Sequence, residues 1–206
     1  MSTIGIVDYG MGNLLSVQKA LEHLGATSEL VEKPDMLQSY DRIILPGVGA
    51  FGDAMAGLKE RNLVFSLQDY AASGKPFLGI CLGMQILCDS SEEAPGVSGL
   101  GLVPGRVLKF TGTDLKVPHM GWNELQVSPN SKTLAGLGSE PYVYFVHSFY
   151  VAPDNPVVSS ATTQYGCSFT SAVEVRNLAG VQFHPEKSQA TGLRILKNYL
   201  EWQSSP

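Results

Sequence analysis

Cysteine is scarce: 206 residues hold three thiols, Cys81, Cys88 and Cys167. Three thiols cannot form a complete disulfide set, and their spacing fits no zinc or redox motif, which excludes a disulfide-stapled or zinc-held scaffold. A reducing, cytoplasmic setting is the natural expectation. Charge is sparse as well. Asp, Glu, Lys and Arg make up 16% of the chain, 14 basic against 19 acidic, for a net charge of −5. No basic block exists, so a nucleic-acid partner is not expected. Long apolar runs are missing. The longest, Phe77 to Cys88, is too short to cross a bilayer and contains Gln85, so no membrane partner is expected. A signal or transit peptide is not expected either: Lys19 is the first basic residue, and Asp8 interrupts the opening apolar stretch. No cluster of ligating side chains suggests a metal, and no cofactor is implied. Repeats, low-complexity tracts and linkers are lacking, so residues 1–206 read as a single domain.

What remains is ample for a core. Hydrophobic residues are 44% of the chain, which excludes disorder. Thr3–Val7 reads as a buried strand, followed by a glycine-rich turn from Asp8 to Asn13. Leu14, Val17, Leu21 and Leu24 trace one helix face, with Gly25 at the C-cap. Arg42–Leu45 reads as a strand halted by Pro46-Gly47. Leu63, Leu67 and Tyr70 mark a helix ending at Gly74. Phe77–Ile80 is a further strand, and Leu82 to Asp89 a further helix. This alternation predicts an α/β fold, a mixed but largely parallel central sheet with helices on both faces. The second half is richer in strands. Tyr142–Tyr150 reads as one long strand with Val143, Phe145, His147 and Phe149 on one face. Further strands fall near Val157–Ala161, Cys167–Val175 and Leu178–Phe183. A helix from about Gln189 to Trp202 carries Leu193, Leu196 and Leu200 on one stripe.

Two glycine-framed loops stand out. Gly47-Val48-Gly49-Ala50-Phe51-Gly52 matches the dinucleotide fingerprint G-x-G-x-x-G. It follows a late strand, however, and the nearest candidate for the required acidic residue, Asp69, falls inside a helix. The other readings are a plain tight turn, or a loop whose backbone N–H groups face a developing anion. Gly79-Ile80-Cys81-Leu82-Gly83 has the form of a nucleophile elbow with Cys in place of Ser, at a strand-to-helix junction. A helix N-terminus there would favour the thiolate. Cys88 and Cys167 lack such glycines and read as buried structural thiols. A nucleophilic thiol needs a base. Of four histidines, His23 lies in an amphipathic helix and reads as a surface residue, whereas His184 precedes Pro185 and Glu186. Pro185 biases His184 toward extended backbone, and residues i and i+2 of an extended segment point to the same side. Glu186 can therefore orient the imidazole, giving nucleophile, base and acid.

These motifs together resemble the class I, triad-type glutamine amidotransferases. Four segments narrow the likeness: Asp8–Leu14, Pro46–Phe51, Pro118–Asn123 and Gln182–Ser188. They are similar to a branch whose members supply ammonia to a separate (β/α)8-barrel cyclase subunit that makes imidazole glycerol phosphate in histidine biosynthesis. The resemblance implies a heterodimer with glutamine as substrate. It implies Cys81 as nucleophile, His184 as acid/base and Glu186 as its partner. An oxyanion hole would come from backbone N–H groups of Leu82 and of Val48 or Gly49. Gln85 and Glu93 match substrate-binding positions, and the backbone at His147, Ser148 and Phe149 matches the segment cradling the glutamine carboxylate. Asn13, His119, Met120, Trp122 and Lys187 match the surface facing the cyclase. Two positions depart from the branch, Phe149 in place of Tyr and Leu15 in place of a basic residue. Competing readings are a glutaminase for an anthranilate or pyridoxal phosphate synthase, a non-catalytic binding subunit, and a dinucleotide-binding module.

Overall fold

A computed structural model describes residues 3–111 and 116–203. The elements run β1 (Ile4–Val7), α1 (Leu14–His23), β2 (Ser28–Val31), β3 (Arg42–Gly47), α2 (Phe51–Glu60), α3 (Leu63–Ala72), β4 (Phe77–Cys81) and α4 (Leu82–Gln85) in the first half. The second half contains β5 (Ser90–Ser91), β6 (Gly105–Lys109), β7 (His119–Glu124), β8 (Gln126–Val127), β9 (Tyr142–His147), β10 (Phe149–Pro153), β11 (Ser159–Tyr165), β12 (Cys167–Val175), β13 (Leu178–Val181) and α5 (Gln189–Glu201). Short helical turns of the 3-10 type lie at Pro34–Ser39, Pro156–Val158 and Pro185–Lys187.

Among the described residues the main sheet has the order β2-β1-β3-β4-β13-β12-β10-β6-β5, with β11 and β8 branching from β12. Strands β2, β1, β3, β4 and β13 are mutually parallel, and β12 and β10 join antiparallel. A separate two-stranded ribbon pairs β7 with β9. Parallel strands are covered on both faces, so they alternate between two cores rather than between core and water. Ile43 and Leu45 of β3 face one cluster with Phe51, Leu58, Leu67 and Tyr70 of α2 and α3. Ile44 of the same strand faces the other, with Val17 and Leu21 of α1 and Ile195, Leu196 and Tyr199 of α5. The expected mixed sheet with helices on both faces is the architecture found.

Four local expectations change. First, β3 does not stop at Leu45. Pro46 and Gly47 stay in the ladder, opposite Ile80 and Cys81 of β4. Second, the helix after Cys81 is one turn long, not two. Loop N–H groups take the next carbonyls: Leu100 N–H donates to the Ile86 carbonyl at 2.8 Å, and Leu102 N–H to Leu87 at 2.8 Å. Third, the run Tyr142–Tyr150 breaks at Ser148 into β9 and β10, which pair in different sheets. Fourth, the buried stripe of α5 is Gly192, Ile195, Leu196 and Tyr199, with Leu193 and Leu200 only flanking it. Cys167 also departs from expectation: it is exposed at the start of β12, whereas Cys88 is buried.

Backbone crowding around the elbow is severe. A Cβ on Gly83 would run into the Leu45 carbonyl oxygen, and one on Gly79 would sit 2.7 Å from the Gly83 carbonyl oxygen. Gly25, by contrast, has positive φ (75°) and open space around it. Gly83→Ala should therefore cost roughly 3 kcal/mol or more by forcing strand and helix apart. Gly25→Ala should cost only about 1 kcal/mol, the left-handed backbone penalty. Urea unfolding midpoints of the two variants test this ordering, and equal losses would contradict it.

Candidate active site

The site grows from three adjacent parallel strands. Cys81 ends β4 with φ 56° and ψ −112°, a conformation that non-glycine residues adopt at a cost of order 1–3 kcal/mol. This turn swings the thiol out of the sheet at the strand's C-terminal end. On one side, β3 lays Gly47 opposite Cys81, so Val48 and Gly49 emerge directly beside the sulfur. Gly49 needs its missing side chain, since its φ is +95°. On the other side, β13 pairs Val181 with Ile80. The chain then runs through Gln182 and Phe183 to His184.

One cavity of about 300 Å³ collects these groups. Its lining includes Cys81, His184, Val48, Gly49, Leu82, Gln85, Glu93, His147, Ser148 and Phe149, together with Pro118 and Val146, which the sequence did not flag. Binding sites for small molecules run from about 300 to 1,000 Å³. This one suits a free amino acid and is too small for a dinucleotide. Among the described residues no group of three or more His, Cys, Asp and Glu could hold a metal ion.

Glu186 lies behind the cavity wall. Its Oε1 is 2.8 Å from Nδ1 of His184, and both side chains are buried. Nδ1 therefore carries a proton and Nε2 is left toward the cavity. Nε2 makes no hydrogen bond among the described residues; the Cys81 thiol still acts on it from the cavity side, adding to Glu186 behind. Burial works against charging this imidazole. Cys81 and Glu186 together outweigh it and push the His184 pKa up to about 10.

The other two buried histidines behave oppositely. Burial pushes His119 down to about 4 and His147 down to about 3. Their rings are 2.9 Å apart, Nδ1 of His119 to Nε2 of His147, and each is wedged among Phe110, Phe145 and Phe169. His147 gives its Nδ1–H to the Phe149 carbonyl at 2.8 Å, so both its ring nitrogens are committed inside the protein. Gln85 is committed in part: its Nε2 meets the Phe149 carbonyl and Gln182 Oε1, each at 3.0 Å. That leaves its Oε1 for a ligand. Glu93 Oε2 accepts the Phe51 N–H at 2.8 Å, at the start of α2. Cys88, away from the cavity, has its thiol pushed up to about 12 by burial and is inert.

The residues expected to face a partner divide. Met120 and Trp122, 61% and 47% exposed, alternate with buried or half-buried neighbours along β7. Trp122 is thus not a core aromatic. Lys187 is exposed beside the triad and Asn13 half-exposed. Leu15 is also exposed, at 61%. His119 does not fit a surface role. It is 3% exposed, with its ring stacked on Tyr165 and Phe145 at 3.9 and 4.7 Å between centroids.

Comparison with known proteins places this arrangement. The family described as glutamine amidotransferase class-I matches residues 5–202, and the chain belongs to that family of enzymes. Within it, the chain is 50% identical over 199 residues to imidazole glycerol phosphate synthase subunit HisH of Desulfitobacterium hafniense, covering 97% of this chain and 94% of the relative. It is 49% identical over 213 residues to the HisH subunit of Methylococcus capsulatus, covering 98% of each. The Methanothermobacter thermautotrophicus HisH subunit is 49% identical over 201 residues, 96% of this chain and 98% of the relative. A solved structure titled PurLQS from Thermotoga maritima shares the fold alone, with a TM-score of 0.78 at 23% identity over 98% of this chain and 99% of that chain.

The raised His184 pKa has a testable consequence. It exceeds the value of about 6.5 for a free imidazole, so the charge stabilises the folded chain fully below pH 6.5. That stability fades as pH climbs toward 10. Histidine NMR should find His184 charged throughout the neutral range. Cys81→Ala or Glu186→Gln removes one support and should move the titration downward. A wild-type midpoint near 6.5 would contradict the ion-pair geometry.

Proposed function

We propose that the chain is the glutaminase subunit of an imidazole glycerol phosphate synthase, working as one domain. It hydrolyses glutamine and passes ammonia to a (β/α)8-barrel cyclase subunit in histidine biosynthesis. The observation that carries the reading is the strained Cys81 elbow opening into the same small cavity as His184, with Glu186 hydrogen-bonded behind it. Near-full-length likeness to HisH subunits favours this synthase over the anthranilate and pyridoxal phosphate types.

The chemistry follows from the positions. The Cys81 thiolate adds to the side-chain carbonyl carbon of glutamine, and the carbonyl oxygen takes the negative charge. Backbone N–H groups of Leu82 and of the Val48–Gly49 peptide are the donors for that oxyanion, each worth roughly 3–4 kcal/mol in comparable sites. Imidazolium His184 gives its Nε2 proton to the departing nitrogen. The carbon–nitrogen bond breaks, ammonia leaves and a glutamyl thioester remains. Neutral His184 then takes a proton from water as it attacks the thioester, and glutamate and the thiolate are released. Glu186 keeps the imidazole in the tautomer this needs. Gln85 Oε1, Glu93 and the backbone of His147, Ser148 and Phe149 bind the amino-acid end of the substrate.

The docking face is built on Met120 and Trp122 of β7, with Asn13 and Lys187 beside them. His119 supports this face from behind rather than touching the partner. Large, exposed Trp and Met side chains are the residue types that anchor interface centres. Leu15 gives the face an apolar rather than basic neighbour.

Cys81→Ser should abolish glutamine-dependent product formation, because the hydroxyl lacks the acidity that the imidazolium exploits. Ammonia supplied directly should still support the cyclase. Near-normal glutaminase turnover in this variant would refute the triad. Trp122→Ala should weaken association with the cyclase by about 2 kcal/mol or more. Calorimetric titration against the cyclase measures it, and an unchanged affinity would move the interface elsewhere.

The isolated chain should hydrolyse glutamine poorly until the cyclase binds, since losing one oxyanion donor lowers rate by about 10²–10³. Glycine at 49 lets that peptide turn at low steric cost. Glutamate release by the subunit alone, with cyclase, and with cyclase plus a substrate analogue measures this. Equal rates in all three would exclude such gating.

A further inference from the structure

The hydrogen bonds behind the cavity wall form one continuous chain, and backbone carbonyls dictate its direction. A carbonyl oxygen can only accept. Asn123, on β7 between Trp122 and Glu124, lies 3.0 Å from the Gln164 carbonyl, so its Nδ2 must face that oxygen. The second hydrogen on Nδ2 then points to Nε2 of His119 at 3.2 Å. His119 accepts there and so carries its proton on Nδ1, which it gives to Nε2 of His147. His147 in turn must carry its proton on Nδ1, because Nδ1 faces the Phe149 carbonyl. From the other side the same carbonyl orients Gln85, whose nitrogen must meet it. The other Gln85 hydrogen meets Gln182 Oε1. This leaves the Gln182 amide nitrogen, and no other arrangement of that side chain, on the Cys81 sulfur at 3.9 Å.

Gln182 is fully buried and follows the strand residue that pairs with Ile80. Its register therefore holds it beside the nucleophile, opposite the Gly47–Gly49 strand end. The ionisable groups around the sulfur are His184, with Glu186 behind it, and Tyr9. Gln182 is the neutral donor among them.

We propose that Gln182 is a positioning residue for the nucleophile: its amide N–H holds the Cys81 sulfur, and Gln85, itself oriented by the Phe149 carbonyl, keeps that amide from turning over. The proposal rests on Cys81 being the nucleophile. It assigns no bond-making to Gln182. An amide that flipped would present oxygen to the sulfur and repel the thiolate. Both histidines must be neutral for the chain to close, since a second proton on His147 would face the N–H of His119. The burial that depresses their pKa values guards that state. The far end of the chain is Asn123, flanked by the exposed Trp122 on β7, and is oriented separately by the Gln164 carbonyl.

Two measurements test this on the full-length protein. In the unmodified chain, imidazole ¹⁵N NMR at neutral pH should show His119 and His147 both neutral and both protonated on Nδ1. His147 carrying its proton on Nε2 would contradict the hydrogen bonding at the Phe149 carbonyl, from which the orientation of Gln85 and Gln182 is read, with no variant needed. The second measurement is the pH dependence of Cys81 alkylation by iodoacetamide, read site by site by mass spectrometry, with exposed Cys167 as an internal reference. Gln182→Met keeps the bulk and removes the donor; Gln182→Glu places oxygen at the sulfur. The Cys81 midpoint should rise in Met and further in Glu while that of Cys167 stays fixed. In Gln182→Met the kcat for glutamine should fall about tenfold, the scale of one hydrogen bond to a charged group, with KM changed less than about twofold. A purely structural role would lower activity or stability without moving the midpoint, and an unmoved Cys81 midpoint would overturn the proposal. Failure of the underlying reading looks different: Cys81→Ser would then retain glutaminase activity whatever the alkylation profile.

Discussion

Everything at this site depends on the register of three parallel strands. Gly47 of β3 stands opposite Cys81 of β4, and Val181 of β13 opposite Ile80. One ladder thus brings the Val48–Gly49 loop, Cys81 and the segment leading to His184 to the same sheet edge, the carboxyl ends of the strands, where α/β sheets bind ligands. A one-residue slip would turn the side chains of the slipped strand to the opposite face. The slip is prevented by the two cores: Ile43 and Leu45 are buried against α2 and α3, and Ile44 against α1 and α5. Strain at Cys81 is sustained by the same packing. Gly79 and Gly83 let β4 and α4 close to contact distance, and relaxing the elbow would require separating them.

Three buried histidines show how surroundings choose a protonation state. All lose hydration, which disfavours the cation. His184 regains more than it loses because a buried carboxylate and a thiol flank its two nitrogens. His119 and His147 face each other, amide groups, a carbonyl and aromatic rings, none of which carries a negative charge. Two histidines sharing one strand pairing, His119 opposite His147, are therefore held neutral, while the third is held charged.

Much of this was legible in the residue order, for physical reasons. Flanking glycines at fixed offsets announce a backbone forced into an unusual turn, and Gly79-Ile80-Cys81-Leu82-Gly83 kept that promise. His184-Pro185-Glu186 announced the imidazole–carboxylate pair but not its geometry: His184 is extended before the proline, as expected, whereas Pro185–Lys187 is a 3-10 turn, and that turn rather than extended i/i+2 alternation brings Glu186 onto Nδ1. Apolar runs disclosed the parallel strands β1, β3, β4 and β13, but not the mostly exposed β2 (Ser28–Val31). What stayed hidden needed long-range partners. The helix after Cys81 is cut short by N–H groups from Leu100 and Leu102, which no local propensity registers. The break at Ser148 arises because β9 and β10 pair in different sheets. His119 sits in a segment of surface character yet turns inward, since alternation along β7 sends Met120 and Trp122 one way and His119 the other. Gln182 was read only as part of a motif; its place beside the sulfur follows from the β4–β13 register.

The loop that resembled a dinucleotide fingerprint shows how one pattern serves different physics. In that fingerprint the glycines let a pyrophosphate approach a long helix. Here the two glycines do separate work. Gly47 admits Leu82 and the Gly83 nitrogen, both of which would lie within 3.0 Å of a Cβ. It is a packing glycine that keeps β3 against the elbow. Gly49 sits at φ +95°, where, among the described residues, a Cβ would meet only the far end of the flexible Met11 side chain. Rigidity at 47 and latitude at 49 place one adjustable peptide, Val48–Gly49, at the end of a fixed strand, so the donor can turn while the strand that carries it stays in register with the nucleophile. A phosphate site would need several fixed N–H groups pointing together. A single developing oxyanion needs one donor supplied at the right moment, the role proposed above for this loop.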